Sequence, residues 1–216
     1  MTTVSQTDRV PEPDDELDEP DRGPWFTALV TVRPGGSWAL LICGIIGLIA
    51  SATLTVERFH LLTEPGYKPS CSINPIISCG SVMVTKQAAI FGFPNPLIGI
   101  AAFSVIVVTG VLAALARISL PRWYWLGQTL ATLAGFVMIN WLFFQSVYSI
   151  HALCPYCMVV WTVTPIVLIL SAGRLVDDTH RGYEFRQWMW VLLPVWYAIV
   201  IVCIGVEFWY YWSTLI

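Results

Sequence analysis

The sequence predicts an all-α integral membrane protein with five transmembrane helices, and three observations predict it. Hydrophobic residues make up 56% of the 216 and charged residues only 12%, against about 25% charged in a soluble domain. The charges are crowded into the start of the chain. Residues 1–36 hold 8 acidic and 3 basic side chains, leaving 14 charges for the remaining 180 residues. Within that remainder, five apolar stretches each approach the ~20 residues that cross a bilayer as a helix. Such a composition cannot present a water-compatible surface, so a soluble globular enzyme is excluded. A net charge of -3 with no basic patch argues against nucleic-acid binding.

Residues 1–36 read as a disordered acidic tail, because the stretch 12–21 is acidic, Pro-containing and nearly free of apolar residues. It is not a signal peptide, which opens on a basic stretch followed directly by an apolar core. Residues 37–216 form one membrane domain with no internal repeat. Its first span is expected at 37–56, with Glu57, Arg58 and His60 ending it in solvated positions. A long connection, 57–96, follows. It carries turn residues at Pro65-Gly66, Pro69, Asn74-Pro75 and Gly80. Its one moderately apolar piece, 82–91, is too short to span and is expected to lie on the membrane surface or cap the bundle. The remaining spans are expected at 97–116, 123–147, 152–170 and 190–212. Internal Gly and Pro, such as Gly110 and Pro165, are tolerated where helices pack closely in lipid.

Basic residues set the orientation. With the N-terminus cytoplasmic, the inner segments hold eight Arg and the outer segments hold three basic residues, Arg58, Lys68 and Lys86. The connection 57–96 and the C-terminus then lie outside. Trp123-Tyr124-Trp125 and Trp209-Tyr210-Tyr211-Trp212 fit the aromatic belts at the two interfaces.

Four of the six cysteines fall on that outer side. Cys71 and Cys79 lie in the connection; Cys154 and Cys157, in Cys154-Pro155-Tyr156-Cys157, open the fourth span. Cys43 and Cys203 lie within spans and read as packing residues. Outside a bacterial plasma membrane, or in the ER lumen, disulfides form and persist. Cys71 and Cys79 could be a plain staple of the loop. The two-residue spacer at a helix start is redox spacing, where free N–H groups and the helix dipole stabilise a thiolate. A zinc site fits poorly, because seven intervening residues exceed the usual two to four. Two thiol pairs on one face make a relay by disulfide exchange. An anchored pair needs a two-electron acceptor of its own, and from the membrane that acceptor is a lipid-soluble quinone.

These residues resemble the vitamin K epoxide reductase family, in its bacterial form. The match rests on Cys71 with Cys79, on Phe93-Pro94-Asn95-Pro96-Leu97-Ile98-Gly99 opening the second span, and on Cys154-Pro155-Tyr156-Cys157. The resemblance implies a four-helix bundle around a quinone with the Cys-x-x-Cys at its outer mouth, plus one additional helix. It implies that Cys157 reacts with the quinone, that Cys154 exchanges with Cys79, and that Cys71 faces a soluble thiol oxidoreductase. It assigns Asn95 to a quinone carbonyl, although a helix cap is the plainer reading of that residue. An amide donor there would stabilise charge arriving on oxygen.

Two positions depart from the pattern. Trp161 stands where some relatives have tyrosine, so only an indole N–H or a ring against the quinone is offered. Thr85 replaces a serine and keeps the hydroxyl. His151, three residues before Cys154, could lower the cysteine's pKa when protonated, or simply sit at the interface. No fused thioredoxin-like domain is expected, and a separate partner is then expected to supply electrons.

The expectation is therefore a dithiol:quinone oxidoreductase in the bacterial plasma membrane that supports oxidative protein folding. Its partner would be a DsbA-like thioredoxin-fold protein, its acceptor menaquinone or ubiquinone, with no metal or flavin. The alternatives are a eukaryotic-type enzyme reducing vitamin K epoxide and a non-catalytic membrane scaffold with structural disulfides. A DsbB-type oxidase has the same chemistry but four spans, with its Cys-x-x-Cys after the first.

Overall fold

The computed structural model describes residues 25–30, 34–74, 76–176 and 180–213; the acidic stretch at 12–21 lies outside them. The described residues are all-helical. Five helices are long and apolar enough to cross a membrane, as the composition predicts: α1 (Pro34–Thr63), α3 (Asn95–Ala114), α4 (Arg122–Gln145), α5 (Pro155–Ala172) and α6 (His180–Glu207). Between α1 and α3 lie the short helix α2 (Cys79–Met83) and one 3₁₀ turn, Lys86–Ala89. A last short helix, α7 (Trp209–Trp212), follows a break at Phe208.

The ends of the helices differ from the expected spans for identifiable reasons. The first span continues seven residues past Val56, because no helix breaker occurs before Pro65-Gly66. Its last turns are polar, and they stay helical because their side chains find partners. His60 Nδ1 lies 2.7 Å from Glu64 Oε1, and Glu57 is buried at 8% exposure rather than solvated. The fourth span starts later than expected, at Pro155, whose fixed φ and missing N–H suit a first helical position. Residues Ala152 to Cys154 lie ahead of it. There α4 has widened into a π turn, Ser146–Ile150, which stops at His151 in the left-handed region, φ 55°. The fifth span begins ten residues early, at His180.

Packing between α1 and α3 depends on small residues. A Cβ added to Gly110 would lie 2.7 Å from Leu41 Cα, and one at Gly47 would strike the Phe103 ring. In lipid, where burial of apolar groups supplies no drive, such close backbone approach is a principal source of helix association. Cys43 belongs to the resulting core with Leu40, Phe103, Ile106, Trp125 and Val167, as a packing residue. Cys203 on α6 is only partly buried. The end of the bundle away from the other cysteines is closed by Arg174, 8% exposed, which donates to Ser37 Oγ at 2.8 Å and lies over the Trp125 ring.

The helix α6 sits apart from this core. None of its most apolar eighteen residues is buried within the protein. It is held by Trp196 Nε1 donating to Asn140 Oδ1 (3.0 Å), Tyr197 Oη donating to the Thr162 carbonyl (2.6 Å) and the fully buried Phe208 just past its end.

Candidate functional site

The connection between α1 and α3 is anchored to the start of α5 through main-chain pairing. Asn74 Oδ1 accepts from the N–H groups of Ile76 and Ile77, turning the chain. The next residues then run alongside Leu153. Leu153 N donates to Ile76 O (2.7 Å) and Ser78 N to Leu153 O (2.9 Å), a parallel bridge at Ile77. Ser78 caps α2 by accepting from Ser81 N. Cys154 directly follows this bridge on one segment and Cys79 lies two residues past it on the other.

Cys71 and Cys79 form a disulfide, while Cys154 and Cys157 are thiols. The Cys154 Sγ lies 3.3 Å from the Cys79 Sγ. All three sulfurs around this contact are out of water: Cys79 is 0% exposed, Cys154 1% and Cys71 6%. A residue meant to meet a soluble partner is thus buried in this closed arrangement of the loop. Cys154 takes the N-cap position of α5 in extended conformation. A hydrogen bond from the Cys157 thiol holds Cys154 below the ordinary cysteine range, against the burial that pushes it up. The backbone N–H groups of Cys157 and Tyr156 lower it further, the effect expected of a helix N-terminus. Chemically, this is a thiolate former beside a disulfide sulfur, the arrangement for exchange.

Below the sulfurs a cavity of about 300 Å³ runs into the bundle between α1, α3, α4 and α5. Cys154 and Cys157 line one side of its mouth, and Val82, Met83, Thr85, Gln87 and Ala88 roof it. The 82–91 piece therefore caps the bundle, one of the two arrangements its length allowed. The walls are almost entirely apolar, with Leu54, Ile139, Leu142, Val160 and Trp161 among them. The deep end is polar. Gln128 there accepts from Thr109 Oγ1 (3.0 Å) and donates to Ser171 Oγ (3.0 Å). A flat, mainly apolar molecule with polar atoms at its edges matches such a lining.

The structure brings Asn95, Thr85 and Trp161 to this cavity with Cys154 and Cys157. Asn95 is the first residue of α3, and its side chain serves the roof rather than its own helix. Nδ2 donates to Gln87 O (2.7 Å) and Oδ1 accepts from Ile90 N (3.2 Å). One amide N–H is left over by inventory. Thr85 Oγ1 donates to Val82 O (2.7 Å). Trp161, 5% exposed, stands edge-on to Phe143 at 5.1 Å. His151 is turned away: its Nε2 lies 3.4 Å from Glu207 Oε1 at the end of α6, and its side chain is half exposed. The groups that depress the Cys154 thiol are Cys157 and Tyr156.

Two neighbours on α1 belong to the site, although charged residues at a span end are expected in solvent. Glu57 accepts from Tyr67 Oη (2.8 Å), from Ser70 Oγ and from Ser70 N (3.3 Å), which fastens the residue preceding Cys71. Arg58 lines the cavity and donates from Nη1 to Ala88 O (2.7 Å) in the roof. The available signal was the absence of a helix breaker before Pro65, which carries both residues on a continuous helix up to the loop they hold.

Among known families, the profile described as the vitamin K epoxide reductase family matches residues 38–172. The matched stretch contains all four cysteines of the site, the roof and the helices α1, α3, α4 and α5, and it stops before α6.

Proposed function

This chain belongs to the vitamin K epoxide reductase family, and on that premise we propose that it oxidises an extracytoplasmic thioredoxin-fold protein and passes the electrons to a quinone through two cysteine pairs. At the coarser level it is a multi-pass membrane oxidoreductase of a family that generates disulfides by reducing quinone. The finer path begins when a partner thiolate attacks Cys71 and releases Cys79. The second partner thiol resolves the mixed disulfide, leaving Cys71 and Cys79 reduced. Cys79 then attacks the Cys154–Cys157 disulfide at Cys154, and Cys71 resolves that bond in turn. The Cys154/Cys157 dithiol finally loses two electrons and two protons to the quinone, regenerating its disulfide and giving hydroquinone. Asn95 donates to a quinone oxygen, Trp161 and Thr85 flank the ring, and menaquinone or ubiquinone fits the apolar walls.

The observation that carries this reading is the 3.3 Å separation of Cys79 Sγ and Cys154 Sγ at the mouth of the cavity. Two structural staples have no reason to meet sulfur to sulfur, whereas exchange requires it in both directions. Burial of Cys71 means that partner attack needs the loop to swing open, and the bridge at Leu153 is the hinge line it must release. The test is turnover by the purified protein in bilayers with a reduced thioredoxin-fold partner. One hydroquinone should form per partner disulfide, and Cys157→Ala should abolish both. Partner oxidation that continues without quinone, or hydroquinone formation that survives Cys157→Ala, would overturn the path.

A further inference from the structure

The cavity lining includes one charged side chain that the relay does not use. Arg58 is the single formally charged residue among the described residues lining it. Its Nη1 is committed to Ala88 O, but its Nε–H is buried and has no hydrogen-bond partner among the described residues. A buried donor left unpaired is costly, and a guanidinium does not escape the cost by deprotonating. The Nε has no accessible surface and so does not face the cavity, whose lining Arg58 joins through other atoms of its side chain. The cavity mouth also carries Cys157 and Asn95.

Resting on the reading that this cavity takes a quinone, we infer that Arg58 is a catalytic residue whose guanidinium cation stabilises a quinone oxygen as electrons arrive. In the terminal step the two S–H bonds of Cys154 and Cys157 break and one S–S bond forms. The quinone gains two electrons and two protons, forming two O–H bonds. If the electrons run ahead of the second proton, negative charge gathers on one oxygen. A fixed cation in a low-dielectric cavity stabilises that charge far more than it does the neutral quinone, the differential binding that accelerates a step. Asn95 and Arg58 then divide the work: a neutral donor orients the quinone, and a cation answers the developing oxyanion. Arg58 is also a roof tether, so its two roles need to be separated.

The experiment is a single turnover. Protein with Cys154 and Cys157 reduced beforehand is mixed with a soluble short-tail ubiquinone, and quinone absorbance is followed by stopped flow. This isolates the last step from partner and loop. Arg58→Gln is neutral and too short to keep the Nη1 contact with Ala88 O; Arg58→Lys keeps the charge. Both variants are first checked for the Cys71–Cys79 disulfide and a cooperative thermal transition. Arg58→Gln should slow transfer by about 10²-fold, with Arg58→Lys retaining at least ten times the rate of the Gln variant. An Arg58→Gln rate within threefold of the parent overturns the inference, as does Arg58→Lys being as slow as Arg58→Gln, which would leave Arg58 as a tether only. If Arg58→Gln does not fold, Arg58→Lys decides against the parent: a loss beyond tenfold, with its quinone KM unchanged, refutes charge as the operative property. A parent that transfers no electrons to quinone defeats the proposed function itself, an outcome distinct from a fast parent with an equally fast Arg58→Gln.

Discussion

Removing the Glu57 carboxylate should slow electron transfer inside the protein while speeding attack on it from outside. Glu57→Ala deletes the acceptor for Tyr67 Oη, Ser70 Oγ and Ser70 N. A hydrogen bond to a charged group contributes about 1.5–3 kcal/mol net. Ser70 is exposed and Tyr67 half-buried, so water replaces part of what is lost, and the Ser70 N contact is long at 3.3 Å. The three together are therefore worth about 2 kcal/mol rather than three times the single value. If that loss falls on docking of the loop, the docked population and the Cys79–Cys154 exchange rate drop by up to about 30-fold. Glu57→Gln keeps one acceptor oxygen and should lie between. The assay uses a Cys157→Ala background, in which the Cys154 thiolate attacks the Cys71–Cys79 disulfide at Cys79, releases Cys71 and stops at a Cys79–Cys154 bridge whose formation is timed by acid quench and mass spectrometry. In parallel, reduction of the Cys71–Cys79 disulfide by a small dithiol is timed in the otherwise native protein. A general folding defect would depress the first rate without a matched rise in the second. Exchange within twofold of the parent in Glu57→Ala would show that Glu57 does not hold the loop.

Other consequences can be checked separately. Cys71→Ala or Cys157→Ala should each accumulate a Cys79–Cys154 bridge during turnover, since the sulfurs need to close only from 3.3 Å to a bond of about 2 Å; peptide mapping that finds Cys71 joined to Cys154 instead would reverse the order of the loop cysteines. In the reduced protein, alkylation of Cys154 should have its pH midpoint below the ordinary thiol value of about 8.5, because Cys157 and two backbone N–H groups favour its thiolate. Cys157→Ala removes the largest of these and should move the midpoint upward, and an unmoved midpoint would assign the lowering elsewhere. Gly110→Ala drives a Cβ to within 2.7 Å of Leu41 Cα and should cost about 1–3 kcal/mol, read from chemical unfolding in micelles; an unchanged transition would mean that α1 and α3 can part freely. Asn95→Ala should raise the KM for quinone about tenfold, the worth of one neutral donor, and steady-state kinetics that change only the partner's KM would point to the roof instead.

What the sequence revealed and what it concealed divide along the range of the interactions. Apolar runs between turn residues are local, so the number of membrane helices could be read directly and the start of α5 to within three residues. Cys43 could be recognised as a packing residue for the same reason. The end of α1 could not, because Glu57 and Arg58 are charges that look solvated unless Tyr67, Ser70 and Ala88 are known to be waiting for them. The closeness of Cys79 to Cys154 depends on main-chain hydrogen bonds between residues about 75 apart, and backbone pairing of that kind leaves no side-chain pattern. His151 illustrates the converse. Three residues from Cys154 in sequence, it is carried away by its left-handed φ and meets Glu57's counterpart in sign, Glu207, on a helix nearly sixty residues later.

The exclusion of water from the sulfurs has a consequence for leakage. On the proposed path the loop disulfide is kept oxidised by quinone and is thermodynamically open to every small thiol in its compartment, each of which would consume oxidant to no purpose. Exchange rates depend on access as well as on potential. With Cys79 at 0%, Cys154 at 1% and Cys71 at 6% exposure, a stray thiol finds no sulfur at which to arrive along the S–S axis. On that path, discharge requires a protein able to bind the loop and hold it open. Selectivity for the client is thus a matter of barrier height, and the closed loop acts as insulation between the quinone pool and the soluble thiols around it.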